Sequence, residues 1–224
     1  MDRFEIEVRF PVPDPQALAL QAGQLGAVTV LRYAFTDQIY RPRVGPWDLF
    51  TRTLRLRAHR EPEEAWEVLF SRVEVVHKGS LGLKRSVFPG GKVRLYAGSR
   101  EACERLLEEL GFVPWFEVAK SGGTKWSFRN GVGLALEHVE GLGWMGELEA
   151  EGAVDEAIER VHGLLERLAV PPESVTPLPL PVLVARARGL LLPHEESGPP
   201  PSNPTPNSGG GGHEGRDTGG APAQ

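Results

Sequence analysis

Charged side chains sorted by sign onto alternating strand positions constrain this chain more than any other feature. Along residues 4–10, Phe4, Ile6, Val8 and Phe10 occupy one parity and Glu5, Glu7 and Arg9 the other. Successive side chains on a strand point to opposite faces, so this is a strand with one apolar and one charged face. The split recurs with Leu54 and Leu56 against Arg55 and Arg57, and with Val93 and Leu95 against Lys92 and Arg94. It recurs again with Leu134 and Leu136 against Ala135 and Glu137, and with Leu148 against Glu147 and Glu149. One charged face is ordinary for a half-exposed antiparallel strand. Solvated faces mix signs, however, whereas here like charges neighbour one another and would repel without an opposite charge to compensate them. A closed or nearly closed sheet with its polar face inward puts both clusters in one chamber. Its basic strands can then hold a polyanion, and its acidic strands a cation that bridges to it.

The rest of the pattern is α+β with an antiparallel sheet. Further strands are expected at 28–40, 51–59, 66–77, 92–97, 112–120, 125–128, 132–139 and 146–151, with turn signals at Gly79, Gly82 and Pro89-Gly90-Gly91. Asp14 caps a short helix to Leu25 with Pro15 at its first position, and Ser99 caps another that reaches Leu110 and stops at Gly111. Val154, Ile158, Val161, Leu165 and Leu168 mark an amphipathic helix ended by Pro171-Pro172, and 182–192 reads as a short docked helix. The expected domain is 1–192. Residues 193–224 are rich in Pro, Gly and Ser with no apolar periodicity, a composition that cannot offset its chain entropy and predicts disorder.

A hydrophobic fraction of 40% supplies an ordinary core. No apolar run is long enough to cross a bilayer and Met1–Pro13 has no signal-peptide core, so no membrane partner is expected. The lone Cys103 cannot form an internal disulfide, which fits a cytoplasmic location, and it shares a helical face with Leu106, Leu107 and Leu110 as a small buried residue would. A net charge of −5 without a basic tract gives no reason to expect nucleic-acid binding. The G-x-G-x-x-G match at Gly141–Gly146 lies in a hairpin rather than between a strand and a helix, and Gly79–Lys84 lacks the P-loop spacing. A hairpin centred on Leu142 is expected to set Glu137 roughly opposite Glu147. Carboxylates facing each other without a His or Cys cluster suit Mg²⁺ or Mn²⁺ rather than zinc.

These segments, in this order, resemble the CYTH superfamily of triphosphate tunnel enzymes over roughly residues 3–170. Glu5-Ile-Glu7-Val-Arg9 stands at the family's E-x-E-x-K, Leu54-Arg55-Leu56-Arg57 at its L-R-x-R, and His77-Lys78-Gly79 at its Lys-Gly strand. Leu106–Phe112 is similar to the helix end that follows, and Leu136-Glu137 to Gly143, then Glu147-Leu-Glu149, to L-D-x-V-x-x-L-G and E-I-E. The resemblance implies an antiparallel β-barrel, the triphosphate tunnel, with flanking helices. It also implies metal-side carboxylates at Glu5, Glu7, Glu137, Glu147 and Glu149, and phosphate binding by Arg9, Arg55, Arg57 and Lys78, with Lys92, Arg94 and Lys120 as further basic candidates. The implied reaction is that of a class IV adenylate cyclase, ATP to cyclic AMP and pyrophosphate, with Mg²⁺ or Mn²⁺ as cofactor. A triphosphatase acting on thiamine triphosphate, tripolyphosphate or a nucleotide is the alternative, and a phosphate-binding module without turnover the third. The chain departs from the pattern at Arg9 for lysine, at Glu137 for aspartate, at Lys92, Arg94 and Tyr96 where the family has R-x-E-x-E, and at the broken K-x-R after Lys120. The partner is a small-molecule triphosphate. No general base is singled out, and a homodimer is compatible with a sequence otherwise silent on assembly.

Overall fold

The computed structural model describes residues 3–61 and 64–191. The expected disordered segment, 193–224, lies outside them. Nine strands form the sheet: β1 (Phe4–Pro11), β2 (Val28–Pro42), β3 (Arg52–Glu61), β4 (Ala65–Lys78), β5 (Leu81–Pro89), β6 (Val93–Gly98), β7 (Phe112–Ser127), β8 (Val132–Val139) and β9 (Gly143–Gly152). Their order is β3-β2-β7-β8-β9-β1-β5-β4-β6, and an additional β3–β4 pairing closes the sheet into a ring, with β6 following β5 along the β4 edge opposite β3. Each pairing is antiparallel. Closure removes the open edges that a sheet of this size would otherwise present.

Because the polar parity faces inward, the main apolar packing lies outside the ring. Ile6, Val8 and Phe10 of β1 join Leu134, Leu148 and Leu83 in a buried cluster beneath α1 (Pro15–Gln24) and α3 (Val154–Arg167), which contribute Leu18, Ile158, Val161 and Leu164. On the opposite wall, Leu54, Leu56 and Val68 pack against Cys103 and Leu107 of α2 (Arg100–Glu109). The Asp14 and Ser99 caps form as expected, each accepting from the backbone N–H three residues on. Cys103 is fully buried, the structural role its neighbours imply.

One end of the ring is apolar inside as well. Ile39, Phe116, Val118, Val139 and Met145 pack with Leu180, Val182, Val184 and Leu191, and the helix that carries most of these, α4 (Leu180–Ala187), forms a floor. The link into α4 bridges to β1, where Arg9 and Thr176 exchange backbone hydrogen bonds of 3.0 and 2.8 Å. This helix starts before the expected residue 182 and ends at Ala187, while Leu192 is outside the described residues.

Three expectations about strands are corrected. The stretch after Gly79, where the sequence shows turn signals and no strand is expected, is strand β5, which pairs with both β1 and β4. Segments 112–120 and 125–128 are one strand, β7, interrupted by a bulge between Lys120 and Gly122. The β8–β9 turn is centred one residue earlier than Leu142, because Val139 pairs with Gly143. Glu137 therefore faces Met145, and Glu147 faces Ala135. Among the described residues no helix is long and apolar enough to cross a membrane.

Candidate functional site

The ring encloses a cavity of about 410 Å³, within the range of small-molecule sites. Its wall includes Glu5, Glu7 and Arg9 of β1, Arg55 and Arg57 of β3, Lys120 of β7, Glu137 of β8, and Glu147 and Glu149 of β9, with Lys92 from the β5–β6 turn. The structure thus brings together most of the side chains that the sequence singles out. Lys78 and Arg94 are placed elsewhere. Lys78 shares the parity of Val76, which packs against the outer core, and it pairs with Glu159 of α3. Arg94, on β6, is exposed, does not line the cavity and lies 2.9 Å from Glu67. Arg94 shares a face with Arg55 through their common partner Leu69, but β6 extends beyond the lined part of the cavity, and Arg94 is engaged by Glu67.

The cavity also holds groups not singled out from the sequence: Asp37 and Tyr33 of β2, Lys84 of β5 and Lys125 of β7. Asp37 is buried beneath Arg57, which binds it through two nitrogens at 2.7 and 2.8 Å, while Arg55 approaches it at 3.3 Å. Against the cost of burial, Arg57 and then Arg55 hold Asp37 well below its ordinary range. The parity of Lys125 is reset by the β7 bulge. Lys120 pairs with Phe35 and Lys125 with Leu31, so both point inward although five residues separate them. Lys84 lies opposite Glu7 across β1–β5.

Within the chamber the charges are largely matched. Arg9 binds Glu147 and lies 2.9 Å from Glu7. Lys84 also binds Glu7, Lys120 binds Glu137 at 2.5 Å, and Lys125 binds Glu149. The Tyr33 hydroxyl donates to Glu137. Burial outweighs these attractions for the amines and brings both Lys84 and Lys120 down to about 8. Glu5 has no ion pair among the described residues. Burial first, and then the nearby Glu7 carboxylate, push it up to about 7.

Two things remain unmatched. Arg9 Nε and Nη1 and Arg55 Nε are buried without a hydrogen-bond partner among the described residues. A buried charged donor without a partner is costly, and the cavity beside these guanidiniums is where an anion's oxygens would satisfy them. Lys92, at the cavity wall, is exposed and makes no ion pair among the described residues. On the acidic side, Glu7 and Glu149 are direct partners across β1–β9, with Glu5 near both. Oxygen donors of this kind fit Mg²⁺ or Mn²⁺. Yet among the described residues no three acidic, His or Cys side chains converge into a ready coordination set, because Glu7 and Glu149 are turned onto lysines.

Fold and site together define a class: a closed antiparallel ring whose ion-lined interior is floored by a helix. The architecture is the one that the resemblance to the CYTH superfamily implies. No family model matches the chain, and no curated protein does. Among solved structures it is similar to the PH1012 protein of Pyrococcus horikoshii, at 20% identity and a TM-score of 0.63, covering 80% of this chain and 99% of that one. It is similar to a candidate adenylate cyclase from Vibrio parahaemolyticus, at 13% identity and a TM-score of 0.60, covering 83% and 99%. It is also similar to a candidate adenylyl cyclase from Hippeastrum described as having a dominant triphosphatase activity, at 18% identity and a TM-score of 0.53, covering 85% and 98%. At these identities the likeness is one of fold.

Proposed function

We propose that this chain is an enzyme acting on a triphosphate bound phosphates-inward in the ring, with adenylate cyclase chemistry on ATP as its reaction. The observation that carries this reading is the set of buried guanidinium donors, Arg9 Nε and Nη1 and Arg55 Nε, left without partners beside the cavity. A ligand rich in oxygens would satisfy them in place of water, and a phosphate chain supplies several in a row. Arg57, fixed by Asp37, and Lys92 extend the basic wall on the β3 side.

One wall is apolar instead. Leu31 of β2 and Val118, Pro179 and Leu180 at the α4 end line the cavity, whereas the Phe35 ring is taken up by Tyr33, stacked at 5.6 Å, and by the Arg57 guanidinium at 3.7 Å. Inorganic phosphate has no use for such a strip, whereas a base or other flat organic group does. This favours an organic triphosphate. In the cyclase reaction the ribose 3′-oxygen bonds to the α-phosphorus as the bond to the departing pyrophosphate breaks. Arg9, Arg55 and Arg57 would hold the phosphates in line and spread the charge that develops on them. A divalent ion bound by Glu5, Glu7 and Glu149 would draw further charge from the phosphate oxygens.

Hydrolysis of the same substrate is the second reading, favoured by the triphosphatase activity ascribed to the Hippeastrum protein of like fold. Incubating the full chain with ATP, and separately with tripolyphosphate, in Mg²⁺ or Mn²⁺ separates the two. Cyclic AMP with pyrophosphate supports the cyclase, and orthophosphate release supports hydrolysis. Failure to bind or turn over any triphosphate in either metal would sink the proposal.

A further inference from the structure

Two buried or half-buried carboxylates stand face to face across β1–β9, Glu7 and Glu149, an arrangement that repels unless each finds a cation. Each has found one on a different strand. Lys84 reaches Glu7 from β5 and Lys125 reaches Glu149 from β7. Arg9 adds a second contact to Glu7 at 2.9 Å. Lys84 comes from the strand next to β1, whereas Lys125 reaches from β7 across β8, over Gly133, to Glu149. For Lys125, the β7 bulge is what turns the side chain inward. The oxygens that would coordinate a divalent ion are therefore already engaged by ammonium groups of the chain itself.

We infer that Lys84 and Lys125 are resident counter-cations of Glu7 and Glu149, so that the chamber binds a polyphosphate without any divalent ion. Such an ion reaches these carboxylates only as the phosphates draw the lysines away. The inference rests on the triphosphate reading above and adds an order of events to it. Lysine suits the role, since its flexible stem and three rotatable donors let it turn from a carboxylate to a phosphate without moving the backbone. Lysine and the divalent ion compete for the same oxygens, whereas lysine and phosphate attract. By linkage, an anion that takes the lysines must tighten metal binding, and metal binding must tighten the anion by the same factor.

Titration calorimetry of the full chain with tripolyphosphate in excess chelator is the first test. Binding that weakens as salt rises is expected, and addition of Mg²⁺ should strengthen it. Binding seen with Mg²⁺ and absent in chelator overturns the inference while leaving the triphosphate reading intact, whereas no binding in either condition overturns both. The second test reads Mn²⁺ binding to the anion-free protein from the loss of the free-ion paramagnetic resonance signal. Lys125→Met and Lys84→Met, which keep an apolar stem of similar length, are each expected to bind Mn²⁺ roughly tenfold more tightly than the native chain, a typical coupling between linked sites. Mn²⁺ affinity unchanged or weakened in both variants overturns the inference.

Discussion

Arg9 shows how a single side chain can be both anchored and available. One of its terminal nitrogens is committed to Glu147 and Glu7, and the rest of its fork is buried and free. Lys92 is the opposite case, exposed at the cavity wall with nothing holding it. Lys92→Met is therefore expected to leave the urea unfolding midpoint unchanged and to weaken tripolyphosphate binding roughly tenfold, the worth of one charge-assisted hydrogen bond. Asp37 is the structural counterpart, and Asp37→Asn should cost about 3–5 kcal/mol, because it strands the buried Arg57 and Arg55 guanidiniums. Since Asp37 is held below its ordinary value of 3.8, it stabilises the fold fully above that pH and loses the contribution as pH falls through its lowered folded value. Urea midpoints followed from pH 5 downward should fall in the native chain and fall less in Asp37→Asn. Asp37 does not stand out as a site residue in the sequence, although the Asp37–Tyr40 segment is similar to one of the cyclase branch, because its neighbours of like parity, Phe35 and Ile39, are apolar and hide the charged face.

At the scale of elements, the strands with unbroken alternation were legible and those with bulges or glycines were not. The β1 faces fall where their parity puts them: Ile6 and Val8 are fully buried in the outer core, and Glu5, Glu7 and Arg9 line the cavity. Strand β5 was hidden by Gly79 and Gly82, which punctuate turns in most contexts. Here β5 is secured by pairing on both sides, which no local signal reports. Lys84 went unseen with it. Lys125 was hidden by the β7 bulge, since one extra residue inverts the parity of all that follows. The β1–β9 pair offers a direct check on register. Phe10 and Gly146 are partners, and the Phe10 ring occupies the space a β-carbon on residue 146 would need. Gly146→Ala should accordingly cost about 1–3 kcal/mol by overpacking, read as a lower urea midpoint at constant m-value.

For the molecule as a whole, the decisive event is the β3–β4 pairing that closes the ring. Closure turns a set of half-polar faces into one interior, and the floor made by α4 leaves the interior apolar at one end and charged at the other. Binding in such a chamber is dominated by charge, so tripolyphosphate affinity should fall steeply between low and physiological salt. A salt-independent affinity measured by calorimetry would place the ligand outside the ring. The sequence by itself determined that the strands have one polar face each, that like charges cluster on them, and that helices cap the apolar faces. These are local properties, fixed by alternation and by capping residues. Only the tertiary structure decided which charges meet. Lys78 and Arg94 are as basic as Arg57, and Lys84 and Lys125 look no different from surface lysines. Whether a charge faces the chamber depends on ring closure, on strand order and on one bulge, and each of these is set by contacts between residues far apart in the chain.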